Sequence, residues 1–291
     1  MTSAGSPHDE GPADGAADAS PPLADAPKTA ADEVPAPDGS AAPRRRRARI
    51  AAVAGLAVLV AVALAVVLGT SGDRTGGASR TTIAGVELAG TKEAQELLAG
   101  IPQDGTLLGD PSAPVTIHEF ADLKCPACQR YQVEAQPETI TTLVRTGRAN
   151  LRIHFMNVID PGQRTTDGAG LINAAYGLAA KDRMWTFVHV LYVNQGIENR
   201  EWATQARLRQ IARGAPGVDP ADVSVRETPS TRAMAAGDRR LARRLGVQAT
   251  PTVVVEPRGS DRFGLVPDPW NGLAEAVDAA TRDAPRRNIA R

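Results

Sequence analysis

Apolar and polar positions change their spacing several times along the chain. Residues 50–69, IAAVAGLAVLVAVALAVVLG, form an uninterrupted apolar run without a charge. As a helix it would span about 30 Å, the thickness of a bilayer core. From residue 114 onward, short β-branched runs alternate with stretches of helical periodicity. Val115–Phe120 reads as a strand entered from a proline. Residues 125–147 carry apolar groups at helical spacing, with Pro137 expected to kink the helix and Gly147 to close it. LRIHFMNV, 151–158, predicts a second strand. Residues 165–213 read as helical in two or three pieces, broken at Gly196, and another helix near 230–245 ends at Gly246. PTVVVEP, 251–257, predicts a strand covered on both faces. Trp270, Leu273 and Val277 share one stripe of a last helix over 270–283. This order predicts an α/β domain with an all-helical insertion over about 160–246.

The flanks of the apolar run give it a direction. Residues 1–43 hold eight acids and one base, net −7, and almost nothing large to bury. Such a segment is expected to be disordered, because it cannot offset its ordering entropy. RRRRAR follows at 44–49, whereas residues 70–79 hold only Arg74 among bases. The positive-inside rule then predicts a retained single-pass transmembrane helix, with residues 1–49 cytoplasmic and 70–291 outside. A cleaved signal peptide fits less well, since the apolar run is longer than the usual core of about 7–15 residues and no clear small-x-small site follows it. Residues 70–97 read as an extracytoplasmic tether, with a short helix in TKEAQELLAG capped by Thr91 and stopped by Gly100. IPQDGTLLGDPSAP reads as turns, the folded domain spans 98–284, and 285–291 form a flexible tail.

Composition narrows the function. The formal net charge is zero over 291 residues, which argues against a nucleic-acid partner. Two cysteines, three positions apart, exclude a multi-disulfide scaffold and a four-cysteine metal centre within one chain. The histidines are His8, His118, His154 and His189. His118 and His154 fall on strands as packing or surface residues, so no metal is expected.

The chemistry concentrates in FADLKCPACQRY, 120–131, where a strand ends and a helix begins. The first N–H groups of a helix are unpaired and its dipole is positive there, which favours a thiolate. Pro126 suits the first turn because it needs no N–H partner. A cysteine so placed can have a pKa lowered to roughly 3.5–7.5. Cys125 is therefore expected as the exposed attacking sulfur and Cys128, one turn in, as the shielded resolving sulfur. Lys124 reads as a solvated surface lysine. Pro251, at the entry of the valine strand, stands where an X-Pro bond is either at a strand start or cis.

LLGDPSAPVTIHEFADLKCPACQRY, followed downstream by GVQATPTVVV, resembles the DsbA-like thioredoxin-fold proteins, in particular the membrane-anchored branch of Gram-positive and actinobacterial cells. The resemblance covers about 98–284. It implies a thioredoxin fold with a helical insertion and thiol–disulfide oxidoreductase activity, with Cys125 as nucleophile and Cys128 as its partner. It implies no cofactor beyond the redox-active Cys125–Cys128 disulfide. It implies that Pro251 is cis and packs beside the cysteines, and that Thr250 offers backbone hydrogen bonds to a substrate. Pro126 and Ala127 complete the substrate-facing rim. The family's buried acid, six residues before the first cysteine, falls on Glu119, which strand parity places on the face of Val115 and Ile117. As a buried carboxyl it would relay a proton for Cys128. One departure is the Pro-Ala dipeptide, where the strong oxidase of the family has Pro-His.

The function expected is oxidation of cysteine pairs in unfolded or secreted proteins, with reoxidation by a membrane partner of DsbB or VKOR type. Two alternatives remain open at this stage. One is a reductase, for example in cytochrome c maturation; the other is a tethered binding module without turnover. For the latter, Trp185, Phe187, Tyr192 and Trp202 would line an apolar groove rather than fill a core.

Overall fold

The computed structural model describes residues 78–83 and 85–283. The acidic leader, the arginine block, the apolar run at 50–69 and the tail at 285–291 lie outside them. Among the described residues no helix is long and apolar enough to cross a membrane.

The chain builds one central mixed sheet. In chain order the elements are β1 (Arg80–Ile83), β2 (Val86–Ala89), α1 (Thr91–Leu98), β3 (Gln103–Asp104), β4 (Leu107–Leu108), β5 (Val115–Ala121), α2 (Pro126–Arg130), α3 (Gln136–Thr139), β6 (Asn150–Phe155), α4 (Ile159–Gln163), α5 (Gly168–Ala179), α6 (Met184–Val193), α7 (Gln205–Arg213), α8 (Pro229–Leu245), β7 (Thr252–Pro257), β8 (Gly264–Leu265) and α9 (Leu273–Asp283). The sheet order is β3-β4-β6-β5-β7-β8, with β1 and β2 forming a separate hairpin. β5 runs parallel to β6 and antiparallel to β7, with Glu119 opposite Ile153 on one side and Val253 on the other.

Period-two alternation sorts the central strands. Val115, Ile117 and Ala121 of β5, Ile153 and Phe155 of β6, and Val253 and Val255 of β7 face the main core. Phe120 and Val254 face the opposite side, where Ala242, Leu241 and Leu245 of α8 cover them. Val253, Val254 and Val255 are all buried, as a strand with two covered faces requires. The insertion α5–α7 packs on the main core. Its Trp185, Phe187 and Tyr192 are core residues, and Trp202 is half-buried against them.

Several sequence expectations shift in detail. The tether is structured from residue 80: β1, β2 and α1 form there, and Leu88, Ala94 and Leu98 belong to the main core. The side chain of Asn194 clamps this hairpin, accepting from the N–H of Ala89 and donating to its carbonyl. Thr91 is the first helical residue rather than the cap. Gly90 occupies the cap position at φ 83, and a Cβ there would meet Val193 at 2.9 Å. The turns at 101–114 contain β3 and β4, too short to register as a pattern. The second strand closes at Phe155 and the last helix opens at Leu273, so Trp270 precedes it.

Pro137 does not kink an α-helix. The helical run from Pro126 instead widens to π geometry at Tyr131–Ala135 and again at Ile140–Val144. Pro137 has no N–H to donate one turn back, and the wider turn removes the need for that bond. The helix α6 ends at Val193, before Gly196, and glycine is needed in the following loop because a Cβ there would lie 2.4 Å from the Trp202 ring.

Candidate active site

The end of β5 and the start of α2 are held by residue 122. The carboxylate of Asp122 accepts from the backbone N–H groups of Lys124, Val158 and Ile159 at 2.8, 2.7 and 2.9 Å. Its carbonyl accepts from the N–H of Cys125 at 3.0 Å and from the Tyr192 hydroxyl at 3.2 Å. Its N–H points at the Sγ of Cys128, 3.4 Å away. Gln195 of the insertion donates to the carbonyl of Leu123 at 2.9 Å. This loop is therefore fixed from both the sheet and the helices.

Cys125 is the N-cap of α2, with φ −73 and ψ 123, and Pro126 follows at the first helical position. Both cysteines are present as thiols. The Thr250–Pro251 bond is cis, and the carbonyl of Thr250 accepts from the Sγ of Cys125 at 3.5 Å. Pro126 is exposed, and Ala127, Thr250 and Pro251 are half-buried around the sulfur. Cys125 is less open than expected: it is 6% exposed, against 0% for Cys128. The loop carrying Thr250 and Pro251 covers it, an effect of a segment 125 residues away.

The two sulfurs differ as their surroundings require. A hydrogen bond from the Cys128 thiol, with the N–H groups of Cys128 and Ala127 at the helix start, lowers Cys125 to about 6, against the opposing effect of burial. Burial pushes Cys128 well above the ordinary thiol range, and the neighbouring Cys125 adds to this. Cys125 is thus the sulfur more easily ionised at neutral pH, and Cys128 the one that stays protonated.

Glu119 is fully buried on the predicted face. Burial raises it to about 7. Gln132 and Gln136 oppose that effect, donating to its two carboxylate oxygens at 2.7 and 2.5 Å. Gln132 sits in the first π turn beyond α2 and Gln136 opens α3, and sequence reasoning did not find them; polar residues at helical spacing opposite a strand acid were their only signal. Tyr192 lies among the charges of Cys128, Glu119, Asp122 and Cys125, so acid and thiols share one buried neighbourhood.

Lys124 corrects a sequence expectation. Its side chain is 0% exposed. Its Nζ donates to Asp160 at 3.0 Å and Thr165 at 2.6 Å, and pairs closely with Asp167. Asp167 also accepts from the N–H groups of Trp202 and Ala203. This buried ion cluster joins the residue before Cys125 to the insertion. A groove of about 590 Å³ runs alongside α2, lined by Pro126, Ala127, Gln129, Arg130, Val133 and Val193 among others.

Comparison with known proteins agrees with this arrangement. The family model described as Thioredoxin matches residues 103–263. Disulfide bond formation protein D of Bacillus subtilis is 26% identical over 176 residues, covering 60% of this chain and 78% of the relative. The probable disulfide bond formation protein D of Bacillus cereus is 31% identical over 150 residues, covering 51% and 68%. The crystal structure of oxidised BdbD from Bacillus subtilis superposes with a TM-score of 0.52 at 21% identity, covering 64% of this chain and 98% of that one. With its thiols at a strand-to-helix junction beside a cis proline, the chain belongs to the thioredoxin family, among its DsbA-like thiol–disulfide oxidoreductases.

Proposed function

We propose that this chain is a membrane-anchored, extracytoplasmic enzyme that oxidises cysteine pairs of secreted proteins through the Cys125-Pro126-Ala127-Cys128 site. The observation that carries the reading is the asymmetry of the two sulfurs: one lowered to about 6 at the rim, one buried and raised. A thiolate that is easily ionised is a good leaving group, so a disulfide at Cys125 exchanges readily. The arginine block before an uncharged apolar run supports the anchor and its orientation.

A substrate thiolate attacks Cys125 of the Cys125–Cys128 disulfide, forming a mixed disulfide and releasing Cys128 as a thiolate. Cys128 takes up a proton, and Glu119 is the buried acid able to give it, since a carboxyl near 7 is partly protonated at neutral pH. The second substrate thiolate then attacks the substrate sulfur bound to Cys125. The substrate leaves oxidised and the enzyme holds its two electrons as a dithiol. A membrane protein of DsbB or VKOR type, passing electrons to quinone, restores the disulfide. In the disulfide and the mixed disulfide Cys125 carries no S–H, so the donor that occupies the Thr250 carbonyl in the dithiol is gone. That carbonyl is then free to accept from a backbone N–H of the bound substrate.

Full-length protein, oxidised and added to reduced, unfolded ribonuclease, is expected to restore ribonuclease activity, and Cys125→Ser to abolish the effect. Intact activity in Cys125→Ser would remove the assignment. One observation favours the reductive direction: Ala127 stands where an imidazole would stabilise the Cys125 thiolate further. The reduction potential separates the two, a value near about −120 mV favouring the oxidase and one near about −270 mV the reductase.

A further inference from the structure

On the face of the sheet turned away from the thiols, four titratable side chains form a continuous chain. Glu256 of β7 meets Nε2 of His118 at 3.0 Å. Nδ1 of His118 meets Nε2 of His154 at 2.9 Å. Nδ1 of His154 meets Asp238 of α8 at 2.8 Å. The other oxygen of Asp238 accepts from the N–H of Phe155 at 2.9 Å and from the Tyr176 hydroxyl. His118 and His154 are 6% and 5% exposed. The oxidoreductase chemistry uses none of these groups.

The two rings do not stack face to face. Their centroids are 5.2 Å apart and their planes 14° from parallel. A ring nitrogen lies about 1.1 Å from its centroid, so a nitrogen–nitrogen contact this short places both atoms on the line between the rings, the geometry of an in-line hydrogen bond. Each of the three contacts along the chain needs one proton. Ionised carboxylates supply none, and two neutral imidazoles supply two. With only two, both N–H groups would turn to the carboxylates and two lone pairs would face each other at 2.9 Å. The contact set therefore demands a third proton.

The surroundings decide where it sits. Glu256 and, from the neighbouring strand, Arg152 face His118, with Phe263 edge-on to its ring. Asp238 faces His154, with Phe120 stacked on its ring. Tyr176 and Arg239 lie beyond Asp238, and Arg244 lies over Phe263. Arg152 sets a positive charge against His118, whereas His154 faces the less exposed of the two carboxylates, Asp238 at 15% against 25% for Glu256, which favours His154 as the ring that carries the charge.

We propose that His118 and His154 together hold three nitrogen-bound protons at neutral pH, with His154 as a buried imidazolium, and that this cation clamps α8 to the sheet and so positions the loop bearing Thr250 beside Cys125. The mechanical link is short. α8 ends at Gly246 in the left-handed region, and the next residues lead directly to the cis Thr250–Pro251 bond. At the other end of the chain Glu256 lies on β7, the strand that Pro251 enters. His154 is thus a positioning residue, acting on Cys125 through α8 and its loop.

The direct test is nitrogen NMR of full-length protein labelled with ¹⁵N-histidine, with His8→Ala and His189→Ala assigning the remaining rings. Expected at neutral pH are two protonated nitrogens on His154 and one on His118. Two neutral rings with one proton each would overturn the proposal. This count is read from the rings and does not depend on the chemistry of Cys125. The positioning is read from the alkylation rate of reduced Cys125 against pH. Beyond the thiol's own titration the rate should rise severalfold at a second, more alkaline break, where the clamp loses its proton. His154→Asn should lack that break, and Glu256→Gln should move it at least one pH unit lower, a tenfold change in proton affinity. A second break unchanged in either variant, or absent from the unmodified protein, would contradict the positioning.

Discussion

The Sγ of Cys125 and the carbonyl oxygen of Thr250 lie 3.5 Å apart, joined across 125 residues of chain. The thiol stands between two helix N–H groups and the Thr250 side chain, which favour its ionised form, and the Thr250 carbonyl, which accepts from its protonated form. Ionisation wins near neutral pH because the Cys128 thiol donates as well. Alkylation of the reduced protein is therefore expected to begin with the thiol's own ionisation near 6, with Cys125 modified and Cys128 spared. The same asymmetry fixes a stability trend. A thiol lowered from 9.0 to about 6 stabilises the reduced fold fully above its unfolded value, and that contribution is lost as pH falls through about 6. Denaturant titrations of the reduced protein at several pH values would show it.

Glu119 works in the opposite direction. Its carboxyl is raised from 4.5 to about 7, so charging it costs about 3 kcal/mol in the folded state. The cost is absent below the ordinary carboxyl range and grows as pH rises to about 7. Glu119→Gln is expected to stabilise the protein above neutral pH by up to about 3 kcal/mol while removing the limb near 7 from the pH profile of substrate oxidation. Replacing Gln132 and Gln136 with leucine removes both donors to the carboxylate, so the limb should move to higher pH. Stopped-flow oxidation of a dithiol peptide across pH reads both effects.

Lys124 should matter through folding more than through charge at the thiol. Lys124→Met leaves Asp160 and Asp167, 6% and 12% exposed, without their cation. Removing one partner of a buried pair costs about 3–5 kcal/mol. Converting both aspartates to asparagine in the same variant should recover much of that loss, which thermal unfolding of the three-site variant would measure.

Legibility in the sequence followed the range of the interactions. The thiol pair lies within one helical turn, and the family resemblance pointed to Glu119, with strand parity agreeing on the core face where it lies. The valine strand read correctly because continuous β-branched runs need cover on both sides. Lys124 was misread because its partners lie 36 and 43 positions downstream, and an isolated lysine carries no sign of them. His118 and His154 meet only through the parallel pairing of β5 and β6. The hairpin at 80–89 escaped because its first strand is largely exposed and polar, so no alternation marked it. The partial burial of Cys125 depended on a loop delivered from the far end of the chain.

The central claim is that Cys125 attacks and is attacked, with Cys128 resolving. Trapping the mixed disulfide tests it directly. Full-length Cys128→Ala, incubated with a substrate peptide activated as a disulfide, should accumulate a covalent adduct whose mass and peptide map place the bond at Cys125. An adduct formed equally well by Cys125→Ala, with Cys128 as the bonded residue, would contradict the account.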